Sequence, residues 1–427
     1  MIRAFVFLLA VVSAALPVRS QPSLRIEEYR DAVVAYSYRL KISDQTVQTA
    51  WQEALGRKKA FLPRLDASGD FSVNFRDRWA TGPSGLEWLH PYSFALQPEV
   101  IQTVYGGGGV RNAFRQAQTA YEMSALDRRF TLLDVVYAAD YAYWNLAAAQ
   151  ELHKATLQYV EIIRELKRVI AIRFEDGYIA RTDLLMIESR LSEAEYQAVN
   201  IEKGYRVALH NFNLLMGAPA DREVKLANDI LTGVLVPPRV EPARILDRRP
   251  DYRAALLRVG YETYGMKLAA APYNPRLSLG VSGVWRNTSP NFRGATELDG
   301  LAFLRLSVPI FAWGERRHAV AARRAAVRSS EYAALETKDR IVQEVRDAWT
   351  GIEESTVQVS ASLRSLDIAR QNLDLSTFSY NEGQLTILDV LSAQLSWIQL
   401  YTNAVTANFN QKVSIAQYRR AAGEPFP

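Results

Sequence analysis

The chain of 427 residues is 48% hydrophobic and 23% charged, carries a formal net charge of +5, and contains no cysteine. That hydrophobic content supports a large buried core and excludes a disordered chain. The missing thiols exclude disulfides, thiolate metal sites and a lipidated cysteine, and the interspersed acidic and basic residues exclude the basic stripe that a nucleic-acid partner requires.

The first element is MIRAFVFLLAVVSAALPVRSQ, in which Arg3 precedes an apolar run over residues 4–16 and the small or short Val18 and Ser20. Residues 1–20 are expected to be a signal peptide, cleaved after Ser20. The run is well short of the roughly 18 apolar residues that a spanning helix needs. No later run reaches that length, so only a closed β-barrel could carry this chain across a bilayer with its backbone groups paired.

From there the chain states itself twice. FEDGYIARTDLL (174–185) returns as YNEGQLTILDVL (380–391), an offset of 206, and TVYGGGGVRNA (103–113) falls on PIFAWGERRHA (309–319). Upstream, FLPRL (61–65) meets YNPRL (273–277) at an offset of 212, so the first copy carries about six extra residues in a surface loop. The expected organisation is a first repeat over 21–219, a polar and proline-bearing connector over 220–247, and a second repeat over 248–427.

Each repeat opens with a helix, over 26–59 and over 251–271. A β-hairpin follows, over 62–105 and over 275–311, with alternating small or apolar and polar residues and aromatics toward the ends. Then comes a helix of about 65 residues, a glycine motif at 174–183 or 380–389, and a second helix. On a 4,3 spacing the long helix of the second repeat reads Ile341, Val345, Ala348, Ile352, Ser355, Val359, Ser362, Leu366, Ala369, Leu373, Ser376, Tyr380. The stripe shifted by 206 is apolar or small as well, save for His153 and Lys167. A 3.5-residue repeat sustained this long imposes a left-handed supercoil, and its Ala and Ser keep helices close. Gly177 and Gly383 sit where each rod must reverse, and Thr182 with Asp183, or Thr386 with Asp389, are expected to restart a helix as capping side chains.

RPDYRAA (249–255), YNPRLSL (273–279), LSVPIFAWGERR (306–317) and the paired tips, in this order across two copies, resemble the TolC-type outer-membrane efflux proteins, the exit ducts of tripartite pumps and type I secretion systems. The family's tip pattern is matched by Phe174, Gly177 and Asp183 and by Tyr380, Gly383 and Asp389. The resemblance implies a mainly α fold with a β-barrel portion: coiled-coil helical hairpins forming a periplasmic tunnel, and four strands per protomer of a homotrimeric barrel in the outer membrane of a Gram-negative bacterium. Two hairpins are too few to close a barrel, which independently demands oligomerisation.

The resemblance also implies a periplasmic adaptor and an inner-membrane transporter as partners, outer-membrane lipid around the barrel, and no cofactor. Its periplasmic gate maps to Asp389, with Asp183 and Tyr380, and its adaptor-docking tips to Gly177, Tyr178, Ile179, Ala180, Gly383, Gln384 and Leu385, flanked by Asp176 and Glu382. Exposed Tyr178 and Ile179 would anchor the adaptor. Ser392 stands where relatives often carry a second acidic residue, so one carboxylate per protomer is expected in the ring. Alternatively, Asp389 favours only its helix start, and Tyr380 packs on the stripe.

The Gly106–Gly109 run lacks the Lys-Ser or Lys-Thr of a phosphate loop, the four histidines have no ligand spacing, and no catalytic constellation is present. No enzyme activity is expected. The rival to a passive exit duct is an exported coiled-coil scaffold, which would have no use for two aromatic-bounded strand pairs inserted at matching points.

Overall fold

The computed structural model describes residues 23–424 apart from 77, 83, 288–290, 292 and 293. The expected signal peptide therefore lies outside the described residues. The described chain divides into two compact units, one formed by residues up to 37 with 136–237 and 351–416, the other by 38–135, 238–350 and 417–424.

The opening helix differs from expectation. It breaks at Ser37 (ψ 113°) into α1 (Ile26–Tyr36) and α2 (Tyr38–Lys59). The two halves have different work: α1 buries Tyr29 and Val33 in the first unit, whereas α2 belongs to the second and buries only Leu40 and Ala54. Tyr29 stacks on Phe212 with ring centroids 3.9 Å apart, and its hydroxyl donates to the Phe212 carbonyl at 2.9 Å. Burial pushes that hydroxyl's pKa up.

The strands are β1 (Arg64–Val73), β2 (Arg78–Gly82), β3 (Gly85–Leu89), β4 (Tyr92–Gly106), β5 (Arg276–Asn287) and β6 (Thr296–Ser307). Four form one antiparallel sheet in the order β1-β4-β5-β6, so β4 and β5 join the hairpins of the two repeats. The small β2–β3 ribbon lies inside the first hairpin, where the sequence has its extra residues and a single turn was expected.

The remaining helices are α3 (Gly109–Glu175), α4 (Arg181–Met216), the short α5 (Pro242–Leu246), α6 (Pro250–Ala270), α7 (Glu315–Asn381) and α8 (Ile387–Ala422). The 206-residue offset holds to the residue: α3 and α7 each have 67 residues, α4 and α8 each have 36. At about 1.5 Å per residue the longer pair are each about 100 Å long.

Burial follows the 4,3 stripe. On α7, Ile341, Val345, Ala348, Ile352, Ser355, Ala369, Ser376 and Tyr380 are buried, the other four members are half-buried, and none is exposed. The two residues that interrupt the stripe of α3 meet α4: Lys167 pairs with Glu188 at 3.1 Å, and the His153 ring stacks on Tyr205 at 5.2 Å. They occupy a polar seam between helices. In the first unit one apolar cluster draws on all four long helices, through Ile163 and Ile170, Ile187 and Ala194, Tyr380, and Val390 and Leu391.

The connector is held by a buried cation. Lys412 on α8 is 3% exposed, its ammonium donates to the carbonyls of Ile230 (2.5 Å) and Thr232 (2.8 Å), and it lies 4.9 Å from the Trp144 ring centroid. Burial pulls its pKa down to about 8. In the second unit the arginine of RPDYRAA has a comparable role. Arg249 is almost fully buried, pairs with Asp251 and Glu344 at 2.8 Å each, and donates to the Ala421 carbonyl in the last turn of α8 at 2.9 Å. Pro250 follows at the first position of α6, where its missing N–H costs nothing.

Lys412→Met keeps the apolar stem and leaves two carbonyls without a donor, a loss of about 1–3 kcal/mol for each. Amide exchange measured by mass spectrometry is expected to accelerate over residues 229–233 while the α7 stripe stays protected.

Candidate pore wall and helical tips

In a strand, side chains alternate between faces, so the sheet register assigns every residue to one of two surfaces. Leu277 faces Leu306 across β5 and β6, followed by Leu279 and Leu304, Val281 and Ala302, Gly283 and Gly300, then Trp285 and Leu298. On the same face β4 adds Leu96, Pro98, Val100 and, opposite Leu279, the one amide Gln102, and β1 adds Leu65, Ala67, Gly69 and Phe71. No acidic or basic side chain lies on this surface. Leu65, Phe71, Leu298, Leu304 and Leu306 are each 66–82% exposed on it, far more than a water-facing sheet presents.

The other face carries Arg64, Asp66, Ser68, Asp70 and Ser72 on β1, Gln97 and Glu99 on β4, Ser278, Ser282 and Arg286 on β5, and Glu297, Asp299 and Arg305 on β6. Arg286 pairs with Glu297 across the strands. Phe303 lies over Gly280, where an added Cβ would strike its ring, so this aromatic covers a glycine gap. One face is thus dry and the other wet. From Leu277 to Trp285 the dry band spans about 27 Å of strand, close to the about 25 Å apolar band of outer-membrane barrels. Both lateral edges, β1 and β6, lack a partner strand among the described residues.

The helical tips reverse as the glycines require. Gly177 and Gly383 have φ of +78° and +75°, and an added Cβ at either would meet open space, so the backbone conformation alone selects glycine. The Gly177 N–H donates to Phe174 and the Tyr178 N–H to Arg173. In the second copy Gly383 donates to Tyr380 and Gln384 to Ser379, which is the same Schellman closure at 2.8–3.0 Å.

The helices then restart differently. Thr386 precedes α8, and the Asp389 carboxylate accepts its backbone N–H at 3.0 Å and its hydroxyl at 2.7 Å. The Thr386 hydroxyl first, and its N–H second, hold the Asp389 pKa below the ordinary carboxylate value. At the first tip, Ala180 occupies the equivalent position with no side-chain cap, while Thr182 and Asp183 lie inside the first turn of α4. The expected Thr182 cap is therefore absent, because the helix starts two residues earlier than that reading placed it.

The structure brings the remaining tip residues together unevenly. Asp389 and Ser392 are exposed and three residues apart, on one face of α8. Tyr178 is 80% exposed, as are Ala180 and Gln384 to lesser degrees, but Ile179 packs against the apolar cluster instead of standing free. Leu385, its counterpart, is 38% exposed. Tyr380 is buried in the cluster, with the Arg173 guanidinium 5.0 Å from its ring centroid. Sequence reading missed that partner, although Arg173 sits next to the Phe174 that the tip motif singled out.

Three comparisons bear on this geometry. A family model described as outer membrane efflux protein matches residues 35–218 and 242–424, one segment for each repeat. Nodulation protein T of Rhizobium leguminosarum bv. trifolii is 24% identical over 78% of this chain and 72% of its own. The outer membrane efflux protein BepC of Brucella suis biovar 1 is 21% identical over 89% and 79%. Among solved structures, the CmeC outer membrane channel of Campylobacter jejuni superposes with a TM-score of 0.79 at 17% identity over 93% of this chain and 85% of its own. The open-state MtrE outer membrane channel of Neisseria gonorrhoeae gives 0.79 at 17% over 93% and 89%.

The unequal caps are testable. Thr386→Ala should cost the second tip about 0.5–2 kcal/mol of local stability and speed amide exchange over residues 386–391, whereas Ala180→Thr should slow exchange at the start of α4.

Proposed function

The chain belongs to the outer membrane efflux protein family, and from that premise we propose that three copies form one exit duct, each lending its four strands to a shared barrel and its long helices to a periplasmic tunnel. The observation that carries this reading is the sheet: one apolar face, one polar face and two unpaired edges. A sheet of four strands cannot close, and an open edge cannot sit in lipid with its N–H and C=O groups unpaired. Twelve strands close a wall with lipid outside and water inside. A coiled-coil scaffold in the periplasm gives no account of that apolar face.

Such a duct is passive. An inner-membrane transporter supplies the energy, and a periplasmic adaptor docks at the helical tips. AprF of Pseudomonas aeruginosa, 25% identical over 66% of this chain, is named for alkaline protease secretion, and OpmQ of Pseudomonas putida, 25% identical over 74%, for pyoverdine export. The shared requirement of such systems is a continuous water-filled path, and the polar sheet face supports one here. Tyr178, with Leu385 of the second tip, is the apolar anchor for the adaptor. Ile179 stabilises the hairpin from within.

At the gate, three Asp389 carboxylates drawn toward a threefold axis focus a negative field in a narrow constriction. Ser392 adds no second charged layer. The Thr386 contacts hold each carboxylate ionised and oriented, so capping its helix and charging the pore are compatible roles for one side chain.

Purified protein is expected to migrate as a heat-sensitive trimer and to conduct ions in planar bilayers; a monomer without conductance would sink the duct. Asp389→Ala should reduce cation preference and weaken block by multivalent cations, with Asp183→Ala doing less. Wild-type selectivity in Asp389→Ala would leave that residue a helix cap only. Tyr178→Glu should abolish export while trimers still reach the outer membrane, and unchanged export would move the adaptor contact elsewhere.

A further inference from the structure

At one end of the sheet, where β1 starts and β6 stops, the chain enters and leaves through two similar stretches. Residues 57–62 read Arg-Lys-Lys-Ala-Phe-Leu, and residues 310–317 read Ile-Phe-Ala-Trp-Gly-Glu-Arg-Arg. In both, exposed apolar side chains lie next to the strand and cations lie beyond them. Ile310, Phe311 and Trp313 are 94%, 70% and 89% exposed, and Phe61 and Leu62 are about half exposed. Arg57, Lys58, Lys59, Arg316 and Arg317 are all exposed, and none forms an ion pair with another described residue.

Trp313 is also the one non-glycine residue with positive φ (+47°) among the described residues. Its counterpart 206 residues earlier is Gly107, φ +63°, where an added Cβ would stand 2.6 Å from the Ala271 carbonyl oxygen. The first repeat therefore needs glycine at this turn. The second repeat holds a bulky side chain in the same backbone state, and that strained turn presents an indole outward.

We propose that the β6–α7 junction, with the matching α2–β1 stretch, is a docking surface for anionic phospholipid headgroups of the periplasmic leaflet. The proposal rests on the sheet being a membrane wall. Leu306 ends the dry face of β6, and the exposed Val308, Ile310 and Phe311 follow it directly in the chain, so on the membrane-wall reading this level is where acyl chains give way to headgroups. Indole favours that boundary, being apolar in its ring and a hydrogen-bond donor at its nitrogen. Cations just beyond it meet phosphates at the height where long side chains reach out of the apolar layer. Zwitterionic lipid brings its own ammonium to each phosphate and competes with the protein's cations. Anionic lipid leaves the phosphate free for guanidinium, which binds it through paired N–H groups.

The test uses purified full-length trimers exposed to equimolar phosphatidylglycerol and phosphatidylethanolamine, with retained lipid counted by native mass spectrometry. Wild type should retain phosphatidylglycerol in preference, and Arg316→Gln with Arg317→Gln should reduce that preference roughly five-fold or more. Trp313→Gly adopts the backbone of the first repeat without strain, so trimers should persist to at least the wild-type temperature while retaining less lipid. Equal retention of both lipids by wild type would overturn the proposal. So would Trp313→Gly trimers that dissociate at lower temperature with unchanged lipid, since the indole would then be packing on a neighbouring copy. Failure of wild type to form trimers would instead overturn the membrane-wall reading beneath it.

Discussion

Everything in this architecture follows from the backbone groups along two strand edges. In water, the free edges of β1 and β6 could be satisfied by solvent. In hydrocarbon each unpaired N–H or C=O costs several kcal/mol, so a sheet with one apolar face has to find further strands before it can stay in a bilayer. One chain supplies four. The requirement to close falls on symmetry, and the long helices that leave this sheet inherit the same symmetry when they line a common path.

The helices meet their own constraint by a different route. A rod of about 100 Å cannot rest on one globular core, so it is stabilised by a seam repeated along its length. Small residues such as Ala348, Ser355, Ala369 and Ser376 on that seam let backbones approach, and larger ones such as Ile352 and Tyr380 fill the steps between them. Two polar groups between the helices have charged partners, Lys167 on Glu188 and Tyr401 on Glu151. Lys412 and Arg249 extend this logic to the segments between helices, because a cation with backbone carbonyls as acceptors can fix a chain that has no regular structure of its own.

What could be read from the sequence was whatever depends on period or on backbone conformation. The 206-residue offset, the 4,3 stripe and the glycines at both reversals are local signals, and the helix lengths, burial and left-handed φ values follow them closely. What escaped was decided by contacts distant in sequence. The break at Ser37 reflects two destinations for one amphipathic stretch, and Ile179 looks exposed in a turn until the cluster of four helices is assembled around it. The cap at Ala180 was misplaced because two nearby polar residues, Thr182 and Asp183, offered better chemistry than the residue the geometry uses. Arg173 beside Tyr380 left only a weak trace, a cation in the last turn of a helix, where many serve no tertiary purpose.

The order of strands in the sheet also sets a timetable. Each helical hairpin joins helices adjacent in sequence, although the apolar cluster near the tips draws on both repeats, and the β4–β5 seam joins Gly106 to Arg276 across roughly 170 residues. Until the second repeat has been synthesised and exported, β4 has a hydrogen-bonding edge and an apolar face with nothing to cover them. Long-range pairing of this kind is slow and exposes aggregation-prone surface while it waits. The wall therefore stays unfinished until both repeats are present, and the first hairpin is the part of the sheet whose free edge waits longest for a neighbour.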